Sequence, residues 1–151
     1  AIARFVGYSR YRGDDWWVSA VSFTGADNFR NALADHEVHD RVIMTQVVPP
    51  LDAAVPVVAE ARDKLGSDLG HVNLEGYIVG KLVLETLRRI EGPITRAAFL
   101  EQLRGQSLEL GGLALDFTDD NQGSDFVSVT MLGEAGYRTM TERDWDALNR
   151  G

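Results

Sequence analysis

The stretch Arg41 to Pro49, RVIMTQVVP, is a β-branched strand that runs into two consecutive prolines, Pro49 and Pro50. Proline has no backbone N–H to donate to a strand ladder, so the chain must leave its sheet at this point. Further along, the segment that opens Leu74-Glu75-Gly76-Tyr77 places apolar residues along one side of a long helix. A strand that ends on Pro-Pro and then leads to a buried helix predicts a crossover between two packing units.

Length and composition indicate an acidic globular protein. The chain has 151 residues, of which 44% are hydrophobic and 25% charged, which is enough for one domain with a substantial core. The net charge of −8 and the scattered Lys and Arg residues argue against a nucleic-acid interface. The absence of cysteine excludes thiol catalysis, Cys-ligated zinc and disulfides. No apolar run has the roughly 20 residues of a membrane helix, and the N-terminus lacks a signal-peptide pattern, so we expect a soluble chain without its export signal.

The local patterns predict an alternation of helices and strands along the chain. We expect a helix over 2–12, a strand over 16–23, a short helix to Leu33 and a strand over 41–48. A helix over 54–65, a long helix from Leu74 to Gly92-Pro93 and a helix capped by Thr95 should follow. The rest of the chain should form a hairpin of strands 113–117 and 126–132 joined by a polar loop, a short strand from Gly136 and a helical turn from Thr141.

Five motifs occur in a characteristic order: RVIMTQVVP, the helix over 55–65, LEGYIVGKLVLETLRR, LGGLALDF and NQGSDFVSVTMLGEAG. In this order they resemble the C-terminal part of type I periplasmic solute-binding proteins, the branched-chain amino acid and amide receptors of ABC importers. The resemblance implies an α/β fold that is part of a two-lobed receptor, with a strand-helix-strand unit of one lobe followed by helices and a β-hairpin of the other. It assigns residues 1–48 to the second lobe, 49–132 to the first lobe, and 133–151 to a return to the second lobe and a C-terminal tail.

Receptors of this class are much longer than this chain. The first half of lobe one, and the Ser, Thr and Tyr loops that hold the ligand, have no counterpart in the sequence. The chain is therefore expected to be either a fragment of a longer receptor or an isolated domain. Burial of apolar side chains drives folding, so we expect a second copy or an N-terminal fragment to cover the apolar stripe with Leu74, Ile78 and Leu82 and the neighbouring face with Val58.

Two segments are candidates for ligand contact. The resemblance implies that the loop His39-Asp40-Arg41 faces the ligand, with Asp40 pairing with an ammonium group, and that Arg41, where relatives often have Gly, alters which ligand fits. Ser22, Phe23 and Thr24 follow the carboxyl end of the preceding strand, where open α/β sheets place their ligand crevice. The alternatives are a solvated loop charge at Asp40 and an ordinary strand-end cap at Ser22 to Thr24.

Two other clusters suggest metal binding but lack the required spacing. His36 and His39 lie at i, i+3, whereas the zinc-protease motif places its histidines at i, i+4, and no third ligand is evident. The acidic residues of 119–125 do not follow the alternating pattern of a calcium loop, which favours a polar turn. We therefore expect no metal and no cofactor.

These observations predict a non-enzymatic, periplasmic or otherwise extracytoplasmic module that captures a small amino acid or amide-like solute between two lobes and delivers it to an ABC permease. Two alternatives belong to other classes. The same fold serves as the ligand-sensing domain of signalling receptors, and a small metal-dependent hydrolase would use His36 and His39.

Overall fold

The computed structural model describes residues 1–22 and 25–150, which form two compact units. Unit 1 comprises Ala1–Pro50 and Val127–Gly151, and unit 2 comprises Leu51–Phe126. Unit 1 contains α1 (Ile2–Tyr11), β1 (Val18–Val21), α2 (Ala26–Ala34), β2 (Val42–Gln46), β5 (Ser128–Gly133), β6 (Gly136–Thr139) and α6 (Glu142–Asn149). Unit 2 contains α3 (Pro56–Leu65), α4 (His71–Arg88), α5 (Arg96–Glu101), β3 (Ser107–Glu109) and β4 (Ala114–Asp116).

The four strands of unit 1 form one sheet in the order β1-β2-β5-β6. Strands β1 and β2 are parallel, while β5 runs antiparallel to both β2 and β6. The parallel pair requires a crossover connection, which α2 supplies. The core of this unit joins the sheet to α1 and α2 through a cluster of buried apolar side chains: Ala3, Val6, Ala26, Phe29, Leu33, Val38, Val42, Met44 and Leu132.

The end of β2 agrees with the expected effect of the two prolines. The strand stops at Gln46, and the chain passes from unit 1 to unit 2 after Pro50, the second residue of the Pro-Pro pair. It returns to unit 1 at Val127, earlier than the expected residue 133, because β5 pairs with β2 in the first sheet.

The predicted hairpin between 113–117 and 126–132 is wrong. Strand β4 pairs with β3, a three-residue strand that the sequence analysis missed, and β5 pairs with β2 and β6. The reason lies in the turn chemistry of Gly111 and Gly112, which both have positive φ and lie in the tight turn between β3 and β4. A turn of that kind joins adjacent antiparallel strands, whereas the polar segment after β4 carries the chain away from them.

The apolar stripe of α4 is largely covered within the chain. Leu74 of α4 and Val58 of the neighbouring α3 are fully buried, so the expectation that another chain must bury them is wrong for these two residues. Ile78 and Leu82 are half-buried and pack against Leu108, Leu110 and Leu115 of the β3-β4 hairpin and its turn. The apolar side chains of α4 that are exposed are others: Val72, Val79, Val83 and Leu84.

Candidate functional site

The carboxyl ends of β1 and β2 lie side by side, because the two strands are parallel and Val21 is in register with Thr45. Ser22 follows β1, and its carbonyl accepts a hydrogen bond of 2.9 Å from the N–H of Gly25. Gly25 has a φ of 76° and precedes α2 without a side-chain cap. The first turn of α2 therefore presents backbone N–H groups, and the positive end of the helix dipole, at this edge. Of the predicted contacts on this loop, Phe23 and Thr24 lie outside the described residues.

Gln46, which was not among the predicted ligand contacts, ends β2 at the same edge. Its side chain is fully buried, and neither its amide nitrogen nor its amide oxygen has a hydrogen-bond partner within the described ranges. Successive side chains of a strand alternate between faces, so Gln46 shares the face of Met44 and Val42, which pack under α2. A polar residue at an inward position of an otherwise apolar strand was the signal that could have revealed it.

The other buried polar side chain on this part of the sheet has a partner. The hydroxyl of Thr130 on β5 donates to the carbonyl of Met44 over 2.8 Å. Thr130 and Met44 are opposed in the antiparallel register, as are Ser128 and Gln46. The hydroxyl of Thr130 is therefore matched, whereas the amide of Gln46 on the neighbouring strand has no partner in the part of the chain that the structure describes.

The loop His39-Asp40-Arg41 lies at the opposite edge. Arg41 immediately precedes β2, and its carbonyl accepts a hydrogen bond of 2.9 Å from the N–H of Val18, the first residue of β1. The side chains of His39 and Asp40 are exposed. The Arg41 side chain pairs with the Asp15 carboxylate at 2.6 Å, and this hydrogen bond is the main cause that lowers the pKa of Asp15.

The structure thus separates the two sets of predicted contacts. A strand rises about 3.3 Å per residue, so the ends of the five-residue β2 are on the order of 13 Å apart. Within unit 1 a small solute cannot bridge Asp40 at the amino edge and Ser22 at the carboxyl edge. The two sets are therefore alternative sites, and the rule for open α/β sheets favours the carboxyl edge.

The two metal alternatives have structural explanations. His36 packs against α1, where a Cβ added to Gly7 would lie 2.5 Å from the Cβ of His36. In the acidic segment, the carboxylate of Asp120 accepts from the N–H of Gln122 at 2.6 Å, and that of Asp125 accepts from the Gln122 side chain at 2.7 Å. These are the local bonds of a polar turn. Across residues 1–22 and 25–150, no group of three or more His, Cys, Asp or Glu side chains is arranged to hold a metal ion.

Solved structures of solute-binding proteins are similar to this chain. A possible leucine/isoleucine/valine-binding protein from Rhodopirellula baltica is 30% identical with a TM-score of 0.83, and the match covers 97% of this chain and 41% of that one. A fatty acid ABC transporter substrate-binding protein from Thermomonospora curvata is 16% identical with a TM-score of 0.75, covering 93% and 39% of the two chains. A branched chain amino acid ABC transporter from Thermus thermophilus with bound valine is 14% identical with a TM-score of 0.67, covering 93% and 42%. No family model and no curated protein matches the sequence.

These similarities confirm the α/β fold and the predicted resemblance to type I periplasmic solute-binding proteins. More narrowly, the chain resembles the branched-chain amino acid receptors of ABC importers, and it spans about two-fifths of the length of these three structures. In the part of the chain that the structure describes, no helix is both long and apolar enough to cross a membrane.

Proposed function

We propose that this chain is the solute-binding module of an ABC importer, that it is not an enzyme, and that it works outside the cytoplasm. The observation that carries this proposal is the 30% identity, over 97% of the chain, to a possible leucine/isoleucine/valine-binding protein. The solute is then a small amino acid or a related amide. Its partner is an ABC permease. In this proposal unit 1 belongs to the second lobe of the receptor and unit 2 to the first lobe.

The carboxyl edge of β1 and β2 is the proposed place where unit 1 contacts the solute. Two features support it. Carboxyl ends of parallel strands are where open α/β sheets bind ligands, and the first turn of α2, which has no side-chain cap among the described residues, is suited to an anionic group such as a carboxylate. Ser22, Phe23 and Thr24 belong to the connection between β1 and α2 and are proposed contacts, whereas Asp40 and Arg41 are the competing placement.

Titration calorimetry with matched solutes tests this function. The protein should be the longest natural chain that contains residues 1–151, and the probes are L-valine, L-leucine, L-valinamide and isovalerate. Valine and leucine should bind, and removal of either charged group from valine should weaken binding because each group has its own partner in a closed site. Absence of binding by any amino acid or amide in a full panel would refute the proposed function.

A further inference from the structure

Gln46 is a side chain of unit 1 whose surroundings do not favour stability, because both polar atoms of its amide are buried without a partner among the described residues. An amide that is buried without partners has given up its hydrogen bonds to water and gained none in return. An apolar residue of similar length would avoid that loss at the same position. The unmatched donor and acceptor of Gln46 therefore indicate a role other than stabilising the fold.

The position of Gln46 relates this amide to the proposed site. It is the last residue of β2, two residues beyond Met44 on the same face of the sheet. Met44 belongs to the same core cluster as Ala26, the first residue of α2. The Gln46 side chain therefore lies at the carboxyl end of β2, on the side of the sheet that α2 covers.

We propose that Gln46 recognises the solute, and that its side-chain amide forms its hydrogen bonds only when a solute is bound at the carboxyl edge. This inference rests on the proposed function and adds a specificity-determining residue to it. Because Gln46 is fully buried in this structure, side chains around the amide must move for the solute to reach it. When the solute binds, the Gln46 amide gains hydrogen-bond partners, which stabilises the bound form.

The chemistry of an amide defines the class of solute. The Nε2 group donates and Oε1 accepts, so Gln46 matches a solute that carries an acceptor and a donor close together. An α-amino acid has this arrangement in its carboxylate and ammonium groups, and a primary amide has it in a single group. A carboxylate bound by Nε2 would also lie near the first turn of α2, although Asp27 in that turn places a negative charge there that is balanced by Arg30 at 4.0 Å.

The test combines stability with binding in the longest natural chain that contains residues 1–151. In Gln46→Met, the unmatched amide is replaced by an apolar side chain of similar length. We expect a melting temperature equal to or above that of the wild type, and an affinity for L-valine that is lower by about tenfold or more. The matched control is Thr130→Val, which removes a buried hydroxyl whose hydrogen bond is already made. It should lower the melting temperature and leave the affinity for valine unchanged.

A direct readout keeps the proposal testable if Gln46→Met fails to fold. The side-chain NH₂ resonances of Gln46 in the wild type should move when L-valine is added. If valine binds but Gln46→Met binds it equally, or if the NH₂ resonances do not move, the amide has a structural role and this inference is overturned while the proposed function stands. If no amino acid or amide binds to the wild type, the proposed function fails and this inference fails with it.

Discussion

The guanidinium group of Arg41 joins the two turns that precede β1 and β2. Its Nη1 lies 2.6 Å from the Asp15 carboxylate and also donates to the Asp15 carbonyl at 2.6 Å. Arg41 itself adopts a φ of 53°, a conformation that glycine reaches more easily. Arginine adopts this positive φ here, and its side chain contacts the turn that precedes β1.

The ion pair between Arg41 and Asp15 connects the two turns at the amino edge, so this edge has a structural role. That role predicts the effect of a substitution at the neighbouring Asp40. Replacement of Asp40 by Ala should leave valine affinity within about twofold of the wild type, since Asp40 is exposed at the edge opposite the proposed site. Calorimetry on the longest natural chain measures this. A loss of about tenfold or more, as expected for a charged hydrogen bond in a closed cleft, would instead support the placement of the solute at Asp40.

The core of unit 2 should be stable without a second chain. Leu74→Ala should lower the free energy of unfolding by about 2–5 kcal/mol, because the leucine is fully buried by the chain itself. The matched control is Val79→Ala on the same helix, where the side chain is 53% exposed and the change should be within about 0.5 kcal/mol. Chemical denaturation measures both. Similar effects at the two positions, or a monomer that is unfolded when dilute, would show that another chain completes this core.

Gly112 should be intolerant of any side chain. It has a φ of 88°, and a Cβ at this position would lie 2.9 Å from both Pro56 Cδ and Val55 Cγ1 at the start of α3. Gly112→Ala should therefore cost more than the roughly 1–2 kcal/mol of the left-handed conformation alone. Gly105→Ala is the control, since Gly105 has a φ of 70° with open space around it and should cost only that amount. Equal losses in denaturation would contradict the close packing of the β3-β4 turn on α3.

Tyr137 should make stability sensitive to alkaline pH. Burial raises the pKa of Tyr137 to about 12, and its hydroxyl has no hydrogen-bond partner among the described residues. The folded state then retains a proton that the unfolded state loses near its ordinary pKa of about 10. The stabilising contribution is complete below about pH 10 and is lost as the pH rises toward 12.

Unfolding measurements between about pH 9 and 12 test this point, within the range where tyrosine titrates. Tyr137→Phe should flatten the alkaline loss of stability and, at neutral pH, leave stability unchanged or raise it by about 1 kcal/mol. Tyr11→Phe is the control, because that ring is 89% exposed, and it should leave the slope unchanged. A slope that is identical in wild type and Tyr137→Phe would show that the hydroxyl is solvated.

Much of the secondary structure was predictable because its signals are local. Thr95 caps α5 by accepting from the N–H of Ala98, as its position before an apolar run indicates. Pro49 and Pro50 end the second strand region for a reason that depends only on the proline ring. Strand pairing depends on residues that are far apart in the sequence. The polar loop before β5 does not indicate which strand pairs with β5.

The candidate site was predictable only in part. The residue types of Asp40 and Ser22 suggested ligand contact, but only the parallel register of β1 and β2 shows that the two lie at opposite edges. Gln46 stands out in the sequence only as a polar residue at an inward position of a strand, and that signal does not show whether its amide has partners. Its unmatched amide becomes visible only when the neighbours of every buried polar atom are known.

Chemical-shift mapping with L-valine tests the central claim most directly, since it reports at once whether a solute binds and at which edge. We predict that the resonances of Ser22, Gly25 and Gln46 move on addition of valine, while those of Asp40 and Arg41 do not. Shifts confined to residues 39–41, or no shifts with valine or any other amino acid or amide, would contradict a solute site at the carboxyl edge of β1 and β2.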